Sequence, residues 1–219
     1  LYLVNYGGTL HRLVRNPAAS APPTFPRRLS ETGLFADTAR HRLAPGVGTY
    51  AINTPLWNDG ARAERFIALP HDSTVATSKG AWSFPQDTVL VKTLSLELAP
   101  SKSGRPRRVE TQVLHLNGSW RAYSYRWNEL QTDADLVEKH GGEQAFQVEE
   151  AGSPVVTHQQ TWRFHSRAEC LRCHNSWCGT VLGFLPLQLN RVAPEPTPHE
   201  PRRTADFPVG EGRLENRRY

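Results

Sequence analysis

Asn117-Gly118 is the strongest folding signal in the chain. It stands between Val109 to Leu116 and Ser119 to Trp127, two runs rich in β-branched and aromatic residues. Such a pair in such a setting makes the tight turn of a β-hairpin, because both residues reach positive φ at low cost. The same vocabulary extends over residues 29–164, in short runs broken by Pro, Gly and Asn58-Asp59-Gly60, with Thr88 to Leu98 reading as one long strand. The expected class is therefore mainly β, with a β-sandwich-like domain over 29–164. One short helix is expected within it, from Thr132 to about His140, since Thr132 offers an N-cap, Asp135 an acid three residues later and Gly141-Gly142 a stop.

Outside that domain the composition changes. Residues 1–14 read as two short strands around Gly7-Gly8, residues 15–28 as a Pro-rich linker, and residues 192–219, with their many Pro, Arg and Glu, as a disordered tail. The chain has no Met and opens on what looks like a strand, so it is expected to be a fragment of a longer polypeptide. Hydrophobic residues at 38% and charged residues at 21% suit a globular class, and no apolar run is long enough for a membrane span. The net charge of +5 is scattered, not striped beside stacking aromatics, which argues against nucleic-acid binding and leaves room for an acidic redox partner.

All three cysteines fall between positions 170 and 178, so no disulfide framework spreads through the chain. Cys170-Leu171-Arg172-Cys173-His174 has the C-x-x-C-H pattern of covalent c-type haem attachment. Ser166-Arg167-Ala168-Glu169 is a capping box that starts a helix just before it. On that helix Cys170, Cys173 and His174 occupy i, i+3 and i+4, so they share a face. Two thiols can then join two vinyl groups while the imidazole reaches the iron. The expected site is thus Cys170 and Cys173 as thioether positions and His174 as proximal ligand, within a haem-attachment segment spanning 165–191. His165, with His158 behind it, is a candidate sixth ligand, because a Met-free chain offers no methionine; a ligand from elsewhere in a longer polypeptide and an open position are the alternatives. Trp177, Val181, Leu182, Phe184, Leu185 and Leu187 could pack on the porphyrin, and Arg163, Arg167, Arg172 and Arg191 are candidates for its propionates, although a solvent-exposed charge is the commoner use of such residues.

The rival chemistry is a Cys3His zinc site from Cys170, Cys173, Cys178 and either His174 or His165, on a β-sandwich module that binds carbohydrate or a partner. Trp57, Trp82, Trp120, Trp127, Tyr123 and Tyr125 would supply its stacking face, although core packing is the commoner use of such residues. Asp59, Asp72, Asp87, Asp133 and Asp135 are dispersed and read as turn residues. Under the haem reading Cys178 is surplus.

Several segments carry a family resemblance: Leu29 to Phe35, Tyr50 to Gly60 with Thr54-Pro55-Leu56-Trp57-Asn58-Asp59-Gly60, Arg65 to Pro70, Phe84 to Thr93, Tyr125 to Asn128 and Cys170 to Arg191. Over residues 27 to 191 the chain resembles a bacterial family of diheme c-type cytochrome-like modules. Residues 1–14 resemble the last strands of a PQQ-dependent glucose/sorbosone dehydrogenase propeller, which such modules follow. The resemblance implies a periplasmic electron carrier with haem c, fed by a sugar- or alcohol-oxidising domain that holds PQQ and does the catalysis. The family's second haem motif does not occur here and the tail after Arg191 departs from its pattern, so a truncated C-terminus is expected. His165 stands where the family is expected to show an apolar residue or Pro.

Overall fold

The computed structural model describes residues 2–4, 7–12, 25–78, 81–99, 106–150, 156–175, 181–184, 186–189 and 213–214. Its centre is the hairpin that Asn117-Gly118 announces: β10 (Arg107–Asn117) runs antiparallel to β11 (Ser119–Trp127). Asn117 pairs directly with Ser119, so the reversal falls on Gly118 alone, at φ 69°, and Asn117 stays in strand geometry instead of taking positive φ. The expected two-residue turn is corrected in that respect. Gly118 N is fixed by donating to Gln86 Oε1 at 2.8 Å.

Around this hairpin β5 (Val47–Tyr50), β6 (Arg62–Ala68), β9 (Val89–Leu96) and β12 (Ala134–Leu136) complete an open antiparallel sheet in the order β12-β11-β10-β9-β6-β5. The fold is mainly β and the sheet does not close into a barrel. β12 replaces the helix expected from Thr132. Ala134 and Leu136 are buried and Asp135 is exposed, a period of two that suits a strand. Asp135, the acid expected to complete the cap, is exposed on this strand, and Asp133 accepts from Ser30 N at 3.1 Å and Ser30 Oγ at 2.7 Å.

One face of the sheet presents Phe66, Val91, Val113 and Tyr125 to Leu29, Leu34 and Phe35. Leu29 belongs to a 3-10 turn at Leu29–Thr32 and Phe35 to β3 (Phe35–Asp37), which pairs with β4 (Arg42–Leu43); Leu34 lies between the two. Each large side chain fully buried there contributes about 1.5–3 kcal/mol. The described end of the expected linker, residues 25–28, belongs to this packing: Phe25 stacks on Tyr123, Tyr125 Oη donates to the Pro26 carbonyl at 2.9 Å, and Leu136 N donates to that of Arg27 at 2.8 Å.

Two apolar groups cover the opposite face. At one end Leu94, Leu96 and Leu98 meet Trp162 and Phe164 of the hairpin β13 (Gly142–Glu150) and β14 (Val156–Phe164). At the other, Ile67, Leu90 and Trp120 meet Val181, Phe184 and Leu189, the last in a turn of helix at Pro186–Leu189. Outside the main sheet, β1 (Tyr2–Val4) pairs with β2 (Leu10–Arg12), as Gly7-Gly8 implies, and β7 (Val75–Ser78) pairs with β8 (Ala81–Ser83). In the tail Arg213 and Leu214 pair with Ala76 and Val75. No helix among the described residues is long and apolar enough to cross a membrane.

Candidate cofactor-attachment site

Helix α1 (Arg167–Cys173) follows β14 after a two-residue joint. A helix this short has little stability of its own, so its ends must be held. The sequence supplies both ends. Ser166 Oγ accepts from Glu169 N at 3.1 Å while Ser166 N donates to Glu169 Oε2 at 2.8 Å, the reciprocal bonds of a capping box. Arg163 clamps that box by donating to Glu169 Oε1 at 2.6 Å and to Glu143 Oε1 at 2.8 Å, which holds the Glu169 carboxyl down near 2. At the other end Asn175 Nδ2 donates to the carbonyls of Leu171 and Arg172, at 3.1 and 2.8 Å. The Arg167 guanidinium lies 4.8 Å from the centre of the Tyr123 ring and ties the helix to β11.

The joint itself depends on Gly141. Its φ is 78°, and a Cβ there would press into the Phe164 carbonyl oxygen and stand 2.8 Å from Ser166 N. Only glycine lets the chain pass so close to the start of α1.

Cys170 and Cys173 are both free thiols, Cys170 half-buried and Cys173 exposed. His174 is the C-cap residue of α1, its N–H donating to the Cys170 carbonyl at 3.0 Å. Cys170 and His174 line one cavity of about 130 Å³, together with Leu90, Leu114, Ala122, Val181 and Leu182. Burial pushes the Cys170 thiol up to about 11, with the Glu110 and Glu169 carboxylates adding to the effect.

The floor of this cavity is polar. Tyr50, Arg65, Lys92, Gln112 and Ser124 are successive cross-strand partners from β5 to β11, so their side chains share the face beneath α1. The first four line the cavity. Beside this row Glu110, 1% exposed, accepts from Ser124 Oγ at 2.6 Å and from Trp162 Nε1 at 3.0 Å. Burial raises its carboxyl above the ordinary range, against the pull of those bonds and of Lys92. The Lys92 ammonium is pulled down by the same burial.

Tyr50, Ile52, Leu56, Asn58 and Arg65 also line a neighbouring open cleft of about 1530 Å³ along β5, β6 and the 51–61 loop. The small cavity alone is below the roughly 300–1,000 Å³ of ordinary cofactor pockets, whereas the two spaces together exceed that range. Cys170, His174 and the apolar walls of Leu90, Leu114 and Val181 suit one edge of a porphyrin, whereas Cys173, expected on the same face, is exposed and does not line the cavity.

Compared with protein-family models, curated proteins and solved structures, the chain matches none.

Of the other residues singled out in the sequence, His165 is exposed at the β14–α1 joint and does not line the cavity, and His158 is exposed on β14. Trp177, Cys178, Leu185 and Arg191 lie outside the described residues, as does the side chain of Leu187. Val181 and Leu182 do wall the cavity, while Phe184 is buried against Tyr50 and Phe84. Arg163 and Arg167 are committed to the caps of α1 and to Tyr123. Arg65 and Lys92 face the cavity instead. Their signal was present in the sequence: Lys92 stands between Leu90 and Leu94 at a position where the alternation calls for an inward apolar residue. Trp120, Trp127 and Tyr125 are core residues, whereas Trp57 is 83% exposed. Among the described residues no three His, Cys, Asp or Glu side chains converge as a small metal ion would require.

Proposed function

We propose that the chain is an extracytoplasmic, periplasmic c-type cytochrome module that carries electrons for a PQQ-dependent sugar or alcohol dehydrogenase domain, on a β-sandwich-like scaffold with a short helical attachment segment. The reading is carried by one observation: Cys170 and His174 of the C-x-x-C-H motif line the same apolar-walled cavity, with both thiols of the motif unbridged. Cys170 and Cys173 would hold haem c through thioethers, with His174 as proximal ligand. Bound there, the haem supplies reversible one-electron storage at its iron. The chain's own part is to fix α1 by its caps, to exclude water with Leu90, Leu114 and Val181, and to leave Cys173 and Leu171 at the surface, where a redox partner approaches. His165, the imidazole nearest in sequence, would have to enter the cavity from its exposed place at the joint to serve as sixth ligand.

A zinc site serves as the competing outcome, since it would need Cys178 beside Cys170 and Cys173. The full chain is expressed with a c-haem maturation system and examined by pyridine haemochrome spectrum and metal analysis. One covalent haem per chain is expected, lost in Cys170→Ala with Cys173→Ala. Stoichiometric zinc without iron overturns the proposal.

A further inference from the structure

Arg65 and Lys92 are the feature of the cavity that thioether attachment does not explain. They are direct neighbours across β6 and β9, half-buried, and both line the space that Cys170 and His174 line. Their hydrogen-bond acceptors are neutral and distant: Lys92 Nζ donates to Asn58 Oδ1 at 3.4 Å, and Arg65 Nη1 to the Ala63 carbonyl at 3.5 Å. Among the described residues neither has a carboxylate within ion-pair distance. The nearest buried acid, Glu110, already has Ser124 Oγ on one oxygen and Trp162 Nε1 on the other.

Glu110 attracts Lys92 across the sheet without forming an ion pair with it, so two adjacent half-buried cations have one carboxylate near them and none in contact, which destabilises a fold. Such a pair makes physical sense when an anion completes it. Arg65 also lines the open cleft, so an anion can reach the pair from outside.

We infer that Arg65 and Lys92 are the counter-charges for the two carboxylate arms of the porphyrin whose vinyl carbons join Cys170 and Cys173. The inference rests on the haem reading above. A protoporphyrin carries its vinyl groups and its propionates on different parts of the ring edge, so a ring fixed to α1 by the first must find partners for the second elsewhere. The guanidinium fork suits a carboxylate bidentately, and the ammonium acts as a point charge beside it. Arg163 and Arg167, the cations nearest the motif in sequence, are occupied in holding α1.

The test compares haem with haem dimethyl ester, which has the same ring and iron but no negative arms, in titrations of the full-length apo chain followed by Soret absorbance. The parent chain is expected to prefer the diacid by about tenfold or more, as charge-assisted hydrogen bonds imply. Arg65→Gln and Lys92→Gln should each cut that preference several-fold and the double variant should abolish it, while Arg65→Lys restores part of it. If a Gln variant does not fold, Lys92→Met and Arg65→Lys carry the comparison. A double variant that keeps the full preference for the diacid, in a chain that still gains covalent haem on maturation, overturns this inference and leaves the haem reading standing. A chain that takes up neither porphyrin and gains no covalent haem overturns both.

Discussion

Glu110 shows how a buried carboxylate is kept. Its two oxygens are occupied by Ser124 Oγ and Trp162 Nε1, yet burial still favours its neutral form. Because its folded-state affinity for the proton is raised, its contribution to stability is greatest at acid pH and is lost as pH climbs from the ordinary carboxylate range upward. Glu110→Gln keeps an acceptor for Trp162 and removes the charge, so the variant should be at least as stable as the parent at pH 7 and should lack that downward slope. Urea unfolding from pH 5 to 8 reads this directly. His41 behaves in the opposite sense. Stacked on Phe35 and edge-on to Phe66 and Trp127, it is held down from 6.5 to about 4, by burial first and by Arg108 second. The Glu64 carboxylate lies 3.4 Å from its Nδ1. The folded chain should therefore lose on the order of 2–3 kcal/mol as pH falls from 6.5 to 4, a loss absent from His41→Gln.

At the level of the element, α1 is a short helix made stable by its surroundings. Its capping box was legible as Ser166-Arg167-Ala168-Glu169, because the pattern is local and its chemistry is reciprocal. The long strand and the Asn117-Gly118 hairpin were legible for the same reason. Thr132 to His140 was misread because a cap signal cannot say whether the residues after it will find a strand edge, and β11 offered one at Tyr125 to Trp127. Nor does the sequence reveal that Gly141, which reads as a helix stop, is the residue that lets β13 pass the start of α1. Gly141→Ala should cost roughly 2 kcal/mol or more, from positive φ and the backbone clash together. In hydrogen exchange the loss should concentrate in residues 162–174, whereas Ser166→Ala, a cap loss of about 1 kcal/mol, should deprotect α1 alone.

For the molecule as a whole, the candidate site joins residues that the sequence keeps far apart. Cys170 and His174 come from one turn, but Arg65, Lys92 and Gln112 come from three strands, and only the register of the sheet places them side by side. Motif reading finds groups that are local in the chain and misses those that are local only in space. Tyr123 has a second consequence at this scale. Its ring carries Phe25 at 3.5 Å and the Arg167 guanidinium at 4.8 Å, so the segment entering the domain and the helix bearing the thiols rest on one aromatic plate. Displacing the segment that carries Phe25 would therefore disturb, through that plate, the base of the helix that carries Cys170 and Cys173.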